Sequence, residues 1–507
     1  MLLDGGVIRT MDQAVQTVAR LAVEGDRIVD PRAAASSPQV DLGGRCVVPG
    51  FTDSHVHFPT WAVAQRQMRL EGCRSLDEAV SRVRSAMPSA PPGGWLVGYG
   101  WRSGDWADPV TPTRHDLDAV TGDTPVAMWS RDDHSVWVNS AALAMATPAD
   151  LAARGGVVAT DDAGEPSGLL GEEAAWVFRR HIAVTDDEYV DAMGDGIAIA
   201  HQRGVTAVHD KDGWIGAPRM WQRLHERGRL SLRVWQSLPV EHLDNLEDLG
   251  IRSGVGDEWF RLGYLKVFMD GSLGSGTAAM LDGSGLTITT GPELEAIITR
   301  ATAAGWPLAV HAIGDAANRA ALDAFDATAG PWRAAGLRHR IEHAQCVDPK
   351  DTGRFAAIGV AASVQFSHAT SDRHLTDRHW GHLEGAYAYR SLVDAGTVLA
   401  NGSDAPVEEL DPLAGIVAAV RRTLDDQPPW RPAQALTAEE ALHASTVGPA
   451  WLSGDERRRG RLVPGHLADL VVLDADPVTV SPDVLPDITV VATMVGGRWV
   501  HNPPPWD

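Results

Sequence analysis

The chain has 507 residues, too many for one ordinary compact domain, and its 44% hydrophobic and 22% charged composition is typical of globular proteins. A net charge of −23 gives an acidic surface that repels phosphate backbones, so we expect no nucleic-acid partner. Three scattered cysteines, no signal-peptide core and no 18-residue apolar run favour a cytoplasmic protein with neither a disulfide framework nor a membrane partner.

Both ends of the chain have the pattern of short β-strands. Residues 1–48 alternate apolar positions with Gly or Asp turns, and residues 455–507 repeat this pattern in GHLADLVVLD and VVATMVGGRWV. We predict that the two ends pair into one small β-sandwich domain, with residues 49–454 inserted between them.

The middle of the chain alternates apolar strand candidates with helical stretches, a βαβα pattern that indicates a parallel sheet. Eight strand candidates end near polar residues: 46–55, 205–210, 232–238, 262–270, 307–315, 338–344, 360–366 and 397–404. Eight such repeats favour a closed (β/α)8 TIM-type barrel over an open sheet. The predicted fold class is therefore α/β.

The gap between the first two barrel strands is far longer than an ordinary βα loop. Loops that follow barrel strands emerge at the face where barrel active sites lie, so we predict that residues 60–200 form a lid or insertion subdomain over a substrate. Its six tryptophans either contact that substrate or form the insertion's own core, and the sequence leaves both open: Trp95, Trp101, Trp106, Trp129, Trp137 and Trp176.

Candidate metal ligands stand at the ends of the predicted barrel strands. His55 and His57 form an HxH pair at the end of the first strand, where their spacing places both rings on one side. One such pair is close to chance expectation among 19 histidines, but His311, His343 and Asp404 each end a later strand. Imidazoles and a carboxylate that converge on the barrel axis suit Zn²⁺ or a similar divalent metal.

Lys266 lies within the apolar strand LGYLKVFMD, where an unpaired ammonium group would be costly. Reaction with CO₂ would convert it to a carbamate, an anion whose two oxygens can bridge two metals. The alternative is a lysine that extends to solvent or pairs with Asp270 or Glu342. Spacing alone does not distinguish these possibilities.

Ordered motifs cover nearly the whole chain: PGFTDSHVHF, RDDHSVWVNSAAL, GEPSGLLGEEA, GVTAVHD, LKVFMDGSLGSGTA, AVHAIGDAAN, RIEHAQ, GSDAPVEELDPLAGI and GHLADLVVLD. With them the chain resembles the amidohydrolase superfamily, specifically the amidohydrolase-3 group that includes N-substituted formamide deformylases. The resemblance implies a metal-dependent hydrolase that cleaves a non-peptide C–N bond, of amide or formamide type, in a small molecule.

The resemblance also implies roles for individual residues. One metal would be bound by His55 and His57 of strand 1, and the second by His311 and His343. Lys266, in carboxylated form, would bridge the two metals. Asp404 would bind metal and act as general base. Metal would lower the pKa of a water, and the carboxylate would accept its proton. Zinc is favoured, while one or two ions and the carbamate stay open.

Further residues match motifs of the same group. His134 and Glu172 in the insertion, with His368 and Asp372 after strand 7, are predicted substrate contacts. The rival functions are a hydrolase of the same fold that acts on an ester, lactone or carbamate, and a catalytically inactive scaffold. The sequence leaves the oligomeric state open, with a homodimer as the candidate assembly.

Overall fold

The computed structural model of the chain describes residues 1–32, 37–90, 94–152, 155–182 and 184–506. It divides into two compact units, of which the larger contains Met1–Phe58, Gly194–Ala405 and Glu409–Asp507. The smaller unit contains Pro59–Met193 and Pro406–Glu408.

The N-terminal region contributes short strands to two sheets: β1 (Leu2–Asp4), β2 (Val7–Arg9), β3 (Thr17–Val18), β4 (Leu21–Glu24), β5 (Arg27–Val29), β6 (Gln39–Asp41) and β7 (Cys46–Pro49). One sheet has the order β5-β4-β1-β6. The strands β3, β2 and β7 form one side of the other sheet, which C-terminal strands complete.

The first barrel strand, β8 (Phe51–Val56), leads through α1 (Phe58–Ala64) into the smaller unit. That unit contains the following elements: β9 (Met68–Arg69), α2 (Leu76–Ala86), β10 (Leu96–Trp101), α3 (Arg114–Thr121), β11 (Val126–Ser130), β12 (Ser135–Val138), α4 (Ser140–Leu143), α5 (Pro148–Leu151), β13 (Gly156–Thr160), β14 (Pro166–Glu172) and α6 (Glu173–Phe178). Its strands form one sheet in the order β13-β14-β12-β11-β10-β9.

The tryptophans of the insertion pack within this smaller unit. Four of them are buried in its apolar clusters: Trp101, Trp106, Trp129 and Trp137. The other two, Trp95 and Trp176, are partly buried and pack against one of these clusters. They therefore contribute to the insertion's own core, the second of the two roles considered for them.

Helix α7 (Asp186–Gln202) precedes the rest of the barrel: β15 (Val205–Asp210), α8 (Ala217–Glu226), β16 (Arg233–Pro239), α9 (Leu243–Leu249), β17 (Phe260–Phe268), α10 (Gly291–Ala304), β18 (Leu308–Ala312), α11 (Asp315–Ala327), α12 (Ala329–Ala334), β19 (Arg340–His343), α13 (Arg354–Ile358), β20 (Ala361–Val364), α14 (His368–Ser371), α15 (Arg373–Trp380), α16 (Tyr389–Asp394), β21 (Leu399–Asn401), α17 (Pro412–Arg421) and α18 (Ala438–Leu452).

The barrel strands pair in parallel in the order β8-β15-β16-β17-β18-β19-β20-β21. After the last strand, the Asp404 amide donates a 2.7 Å hydrogen bond to the His55 carbonyl, which links that end to β8. The strands are almost entirely buried, as expected where helices cover a parallel sheet. The predicted (β/α)8 fold class is confirmed.

The predicted strand 46–55 is two strands in the structure, with Gly50 between them. The first half, β7, pairs in the sandwich, and the second half, β8, pairs with β15 in the barrel. A Cβ atom at Gly50 would lie 2.3 Å from the Thr206 Oγ1 atom, so this junction requires glycine. Both halves are apolar, and the pattern of the sequence did not reveal the change of sheet.

The C-terminal strands β22 (Leu470–Leu473), β23 (Val490–Val495) and β24 (Arg498–His501) complete the second sheet in the order β24-β23-β22-β7-β2-β3. Its core combines fully buried side chains from both ends, among them Ile8 and Leu470. The sandwich formed by both chain ends is therefore present. None of the helices in the described ranges is long and apolar enough to cross a membrane.

Candidate metal centre

Side chains from the ends of two barrel strands, β8 and β19, lie around the carboxylate of Asp404, which follows β21. The His55 Nε2 atom lies 3.3 Å from Asp404 Oδ1, and the His57 Nε2 atom lies 3.5 Å from the same oxygen. The His343 ring centroid is 4.7 Å from that of His55. His55, His343 and Asp404 are all buried, and each offers one ligand atom within 4.8 Å of the others.

These spacings fit a metal ion. Two ligand atoms that each lie about 2.1 Å from a tetrahedral ion are about 3.4 Å apart. The two distances from Asp404 Oδ1 to the histidine nitrogens, 3.3 and 3.5 Å, are close to this value. Imidazole nitrogen and carboxylate oxygen are the ligands that zinc and similar divalent metals prefer.

The histidine tautomers are also those of metal ligands. Three of the rings have an oxygen partner at Nδ1: His55 has Glu342 Oε2 at 2.8 Å, His57 has Asp212 Oδ1 at 2.7 Å, and His343 has Gln365 Oε1 at 2.8 Å. Because these oxygens accept hydrogen bonds, they hold the proton on Nδ1. In His55 and His57, the Nε2 atom is then the lone-pair nitrogen of a neutral ring, and it is the atom that lies near Asp404 Oδ1. In His343, the nitrogen that lies 3.8 Å from Asp404 Oδ2 is Nδ1 itself.

The pKa values of these histidines differ with their surroundings. Burial lowers the pKa of His55 well below its ordinary value, although the Glu342 carboxylate opposes this effect. Burial also acts against the charged form of His57, but Asp212 outweighs it and raises the pKa of His57. His55 is therefore a neutral ring at neutral pH, as a metal ligand must be.

His311 lies beside His343 rather than on Asp404. The ring centroids of His311 and His343 are 4.6 Å apart, and the Phe268 ring lies 5.0 Å from His311 on another side. The His311 Nε2 atom donates to the Gly271 carbonyl at 3.0 Å, which leaves Nδ1 as the lone-pair nitrogen of a neutral ring. His311 thus extends the cluster away from Asp404.

Lys266 is buried, with 2% of its surface exposed, and its Nζ atom lies 5.0 Å from the Phe268 ring centroid. Within the described ranges, no carboxylate oxygen lies within 4 Å of this nitrogen, so it pairs with neither Asp270 nor Glu342. Burial lowers the pKa of Lys266 to about 8, while Glu342 and Asp404 act in the opposite direction. A neutral amine is therefore accessible near physiological pH.

A buried group of charges lies beneath His55. The fully buried Glu342 carboxylate forms ion pairs with Arg340, whose Nε lies 2.6 Å from Oε1, and with Lys211, whose Nζ lies 2.9 Å from the same oxygen. Its Oε2 atom accepts a hydrogen bond from Arg340 Nη2 at 2.8 Å and lies 2.8 Å from His55 Nδ1. Burial alone would raise the pKa of Glu342, but these cations hold it well below its ordinary value. Glu342 is therefore ionised, and its position fixes the orientation of the His55 ring.

The backbone at the site is held in unusual conformations. His343 has φ 74° and Asp404 has φ 59°, in the left-handed region that non-glycine residues rarely occupy. The Asp53 carboxylate accepts from the amides of His55 at 3.1 Å and Ser403 at 3.0 Å, and so ties β8 to the segment that carries Asp404. Such conformations cost about 1–3 kcal/mol each and concentrate at functional sites.

The sequence profile of the amidohydrolase family matches residues 39–501. The chain belongs to this family. The amidohydrolase is 31% identical to the protein LONG AFTER FAR-RED 3 of Arabidopsis thaliana, over 99% of this chain and 91% of the relative. It is 28% identical to an N-substituted formamide deformylase of Arthrobacter pascens, over 97% of this chain and 96% of the relative.

A solved structure supports the same assignment. The amidohydrolase aligns with an uncharacterized metal-dependent hydrolase from Pyrococcus horikoshii OT3 at a TM-score of 0.77 and 27% identity, over 95% of this chain and 99% of that chain. Together with the family and the three-residue ligand set, this identifies the protein as a metal-dependent hydrolase of the amidohydrolase superfamily.

The predicted substrate contacts of the amidohydrolase lie in two places. His368 lies at the metal centre, with its Nε2 atom 3.9 Å from Asp404 Oδ2. Asp372, one helical turn farther, accepts from the Tyr387 hydroxyl at 2.9 Å.

The other two predicted contacts, His134 and Glu172, belong to the smaller unit. The His134 Nδ1 atom lies 2.8 Å from Glu172 Oε2. Burial opposes the charged ring, but Glu172 outweighs it and raises the pKa of His134 to about 9. The two side chains therefore form a partly buried ion pair within that unit.

The sequence prediction missed the residues that orient the ligands: Asp212, Gln365 and Lys211, together with the role of Glu342 toward His55. Each stands in or just after a barrel strand, in the motifs VHDKD, SVQF and RIEH. Lys211 had a further signal, because the chain has only three lysines and this one directly follows an apolar strand.

Proposed function

We propose that this amidohydrolase cleaves a non-peptide C–N bond, of amide or formamide type, in a small molecule. The observation that carries the proposal is the cluster of His55, His57 and His343 around Asp404, in which His55 and His57 have an oxygen at Nδ1 and direct Nε2 at the carboxylate. The similarity to a relative named as an N-substituted formamide deformylase supports the C–N bond as the target.

The proposed metal ligands fall into two groups. One ion would be held by His55 and His57 of strand 1, and a second by His311 and His343 of strands 5 and 6. The two ions would share Lys266 and Asp404. Zinc is the proposed metal, in one or two copies. When bound, it lowers the pKa of a water and polarises the substrate carbonyl.

Lys266 is the proposed bridging ligand in carbamate form. Its neutral amine would attack the carbon of CO₂: an N–C bond forms, one C–O π bond of CO₂ opens, and the nitrogen loses one proton to solvent, which leaves an anion with two oxygens. The burial of Lys266 and the lack of a carboxylate within 4 Å in the described ranges support this modification. A buried amine without an ion pair is thereby replaced by an anionic metal ligand.

Asp404 is the proposed general base. Its carboxylate accepts a proton from the attacking water while the water oxygen bonds to the carbonyl carbon. It then passes this proton to the departing nitrogen as the C–N bond breaks, releasing an amine and a carboxylic acid. Burial raises the pKa of Asp404, although His57 and His368 oppose this, so the group is a stronger base than an exposed aspartate.

The remaining expectations belong to the same proposal. We propose a cytoplasmic enzyme with a small-molecule substrate, which contacts His134, Glu172, His368 and Asp372, and with neither nucleic acid nor membrane as partner. The proposed assembly is a homodimer, and light scattering during size-exclusion chromatography would measure its mass.

Turnover of matched substrates tests the proposal. Zinc-loaded protein, prepared with bicarbonate, would be given N-alkyl formamides, N-acyl amines and the corresponding esters, lactones and carbamates, with products measured by mass spectrometry. We expect the amide or formamide series to show kcat/KM values at least tenfold above the ester series. Activity on esters alone would favour the rival hydrolase, and absence of both metal and turnover would favour an inactive scaffold.

A further inference from the structure

A row of aromatic rings leads from the candidate metal centre toward solvent. Phe268, the last residue of β17, has its ring centroid 5.0 Å from that of His311. On its other side, the Trp214 ring lies 5.5 Å from Phe268 at an interplanar angle of 50°. These separations fall in the range of direct ring contact, so the three rings form one continuous surface.

Trp214 is exposed at the outer end of this row. It has 46% of its surface accessible and is the most exposed tryptophan of the described chain. Trp221, only seven residues later, is fully buried and donates to Asp210. A large exposed aromatic side chain next to a functional site indicates a surface that binds an apolar group.

The turn that carries Trp214 is fixed against the barrel. It spans Gly213–Ile215, immediately after β15. A Cβ atom at Gly213 would lie 2.5 Å from Pro239 Cδ and 2.8 Å from the Ser237 carbonyl, so the turn packs closely on the end of β16. The backbone that carries Trp214 is therefore positioned before any ligand binds, which limits the entropy lost on binding.

The surface continues on the side of β17. Ile288 donates its amide to the carbonyl of Met269, the residue after Phe268, at 2.8 Å. Its side chain is 47% exposed, and the side chain of Leu286 in the same segment is 39% exposed. Apolar side chains thus lie exposed in the segment that returns beside Phe268.

We infer that Trp214 and Phe268 form a binding wall for an aromatic or bulky apolar substituent of the substrate. This inference rests on the proposed function, because the substituent flanks the bond that is cleaved at the metal centre. The wall gives specificity through stacking and apolar burial, and Trp214 takes no part in proton transfer. Small substrates that lack the substituent gain nothing from it.

Substrate pairs that differ only in the substituent test the wall. Turnover of N-benzylformamide and N-methylformamide would be compared in wild type, W214A, W214F and the control V255A, whose parent Val255 is 52% exposed in the same unit. We expect W214A to lower kcat/KM for N-benzylformamide about tenfold, mainly through KM, which corresponds to about 1.4 kcal/mol. N-methylformamide should change less than twofold, W214F should recover most of the loss, and V255A should resemble wild type.

A binding measurement separates the wall from the reaction. Calorimetry on zinc-loaded protein would compare benzohydroxamate with acetohydroxamate, and we expect W214A to weaken only the aromatic ligand, with unchanged zinc content. If wild type turns over neither formamide, the proposed function fails, while the hydroxamate pair still tests the wall. Equal losses for both members of a pair, no aromatic preference in wild type, or a change of oligomeric mass in W214A would each overturn the inference.

Discussion

Replacing Lys211 with methionine removes an amine from the buried group beneath His55, and burial lowers the pKa of this amine to about 7. The Lys211 Nζ atom lies 2.9 Å from Glu342 Oε1 and 3.3 Å from Ser237 Oγ, and the residue is fully buried. Methionine fills a similar length without a charge or a hydrogen-bond donor. Because Glu342 contacts His55, we expect the substitution to act on the metal ligand through the carboxylate.

The free-energy cost of the substitution depends on the partners that Glu342 retains. Arg340 Nε stays 2.6 Å from Glu342 Oε1, and His55 stays 2.8 Å from Oε2, so the carboxylate is not left unpaired. The cost should therefore be below the roughly 3–5 kcal/mol that follows loss of the sole partner of a buried charge. Loss of a group that orients a metal-bound histidine typically weakens metal binding about 10–100-fold, or about 1.4–2.8 kcal/mol.

Chelator competition for zinc would measure this affinity, and the visible spectrum of the cobalt-substituted protein would report the ligand geometry. The matched control is Lys350→Met, because Lys350 is an exposed member of the chain's three lysines. We expect Lys211→Met to weaken zinc binding and change the cobalt spectrum, with Lys350→Met like wild type. Wild-type affinity and spectrum in Lys211→Met, or equal losses in both variants, would refute the reasoning.

Three further predictions concern proton transfer, acid stability and the metal. Asp404→Asn should lower kcat at saturating zinc by at least about 100-fold; Asp483→Asn, whose parent side chain is 91% exposed, should not. Burial lowers the pKa of His201 to about 4, so its neutral form stabilises the fold above pH 6.5, and this contribution is lost as pH falls through 4. Urea unfolding at a series of pH values should show that the free energy of unfolding of wild type falls by up to about 3 kcal/mol over this range, while that of His201→Gln depends less on pH. Identical pH profiles for the two proteins would contradict this prediction. Chelation should lower Tm, and zinc at 100 times its Kd should restore about 2.7 kcal/mol; an unchanged Tm would speak against a folded-state metal site.

Much of the fold could be predicted because each barrel strand is an apolar run closed by a polar residue. The runs at 205–210 and 308–312, for example, are separated from their neighbours by helical stretches. The split at Gly50 was missed because both flanking strands are apolar, and only the close approach of Thr206 makes glycine necessary there. Periodicity reports burial, but it does not report which sheet buries a strand.

The positions of the candidate ligands could be predicted for the same reason, since strand ends of a barrel meet at one face. The residues that hold the Nδ1 atoms of these ligands could not be predicted. The Nδ1 partner of His55 is Glu342, 287 residues away in the chain, and the sequence offered Glu342 only as a partner for Lys266. The choice depends on side-chain directions in the closed barrel, where Lys211 and Arg340 already hold Glu342 beneath His55.

Metal content most directly tests whether the barrel strand ends hold a catalytic metal. Plasma mass spectrometry would be applied to zinc-loaded, dialysed wild type and to a His55→Ala/His343→Ala double variant with native-like circular dichroism. We expect one or two equivalents of divalent metal per wild-type chain and almost none in the double variant. A metal-free wild type, or equal content in both proteins, would contradict a metal centre at these residues.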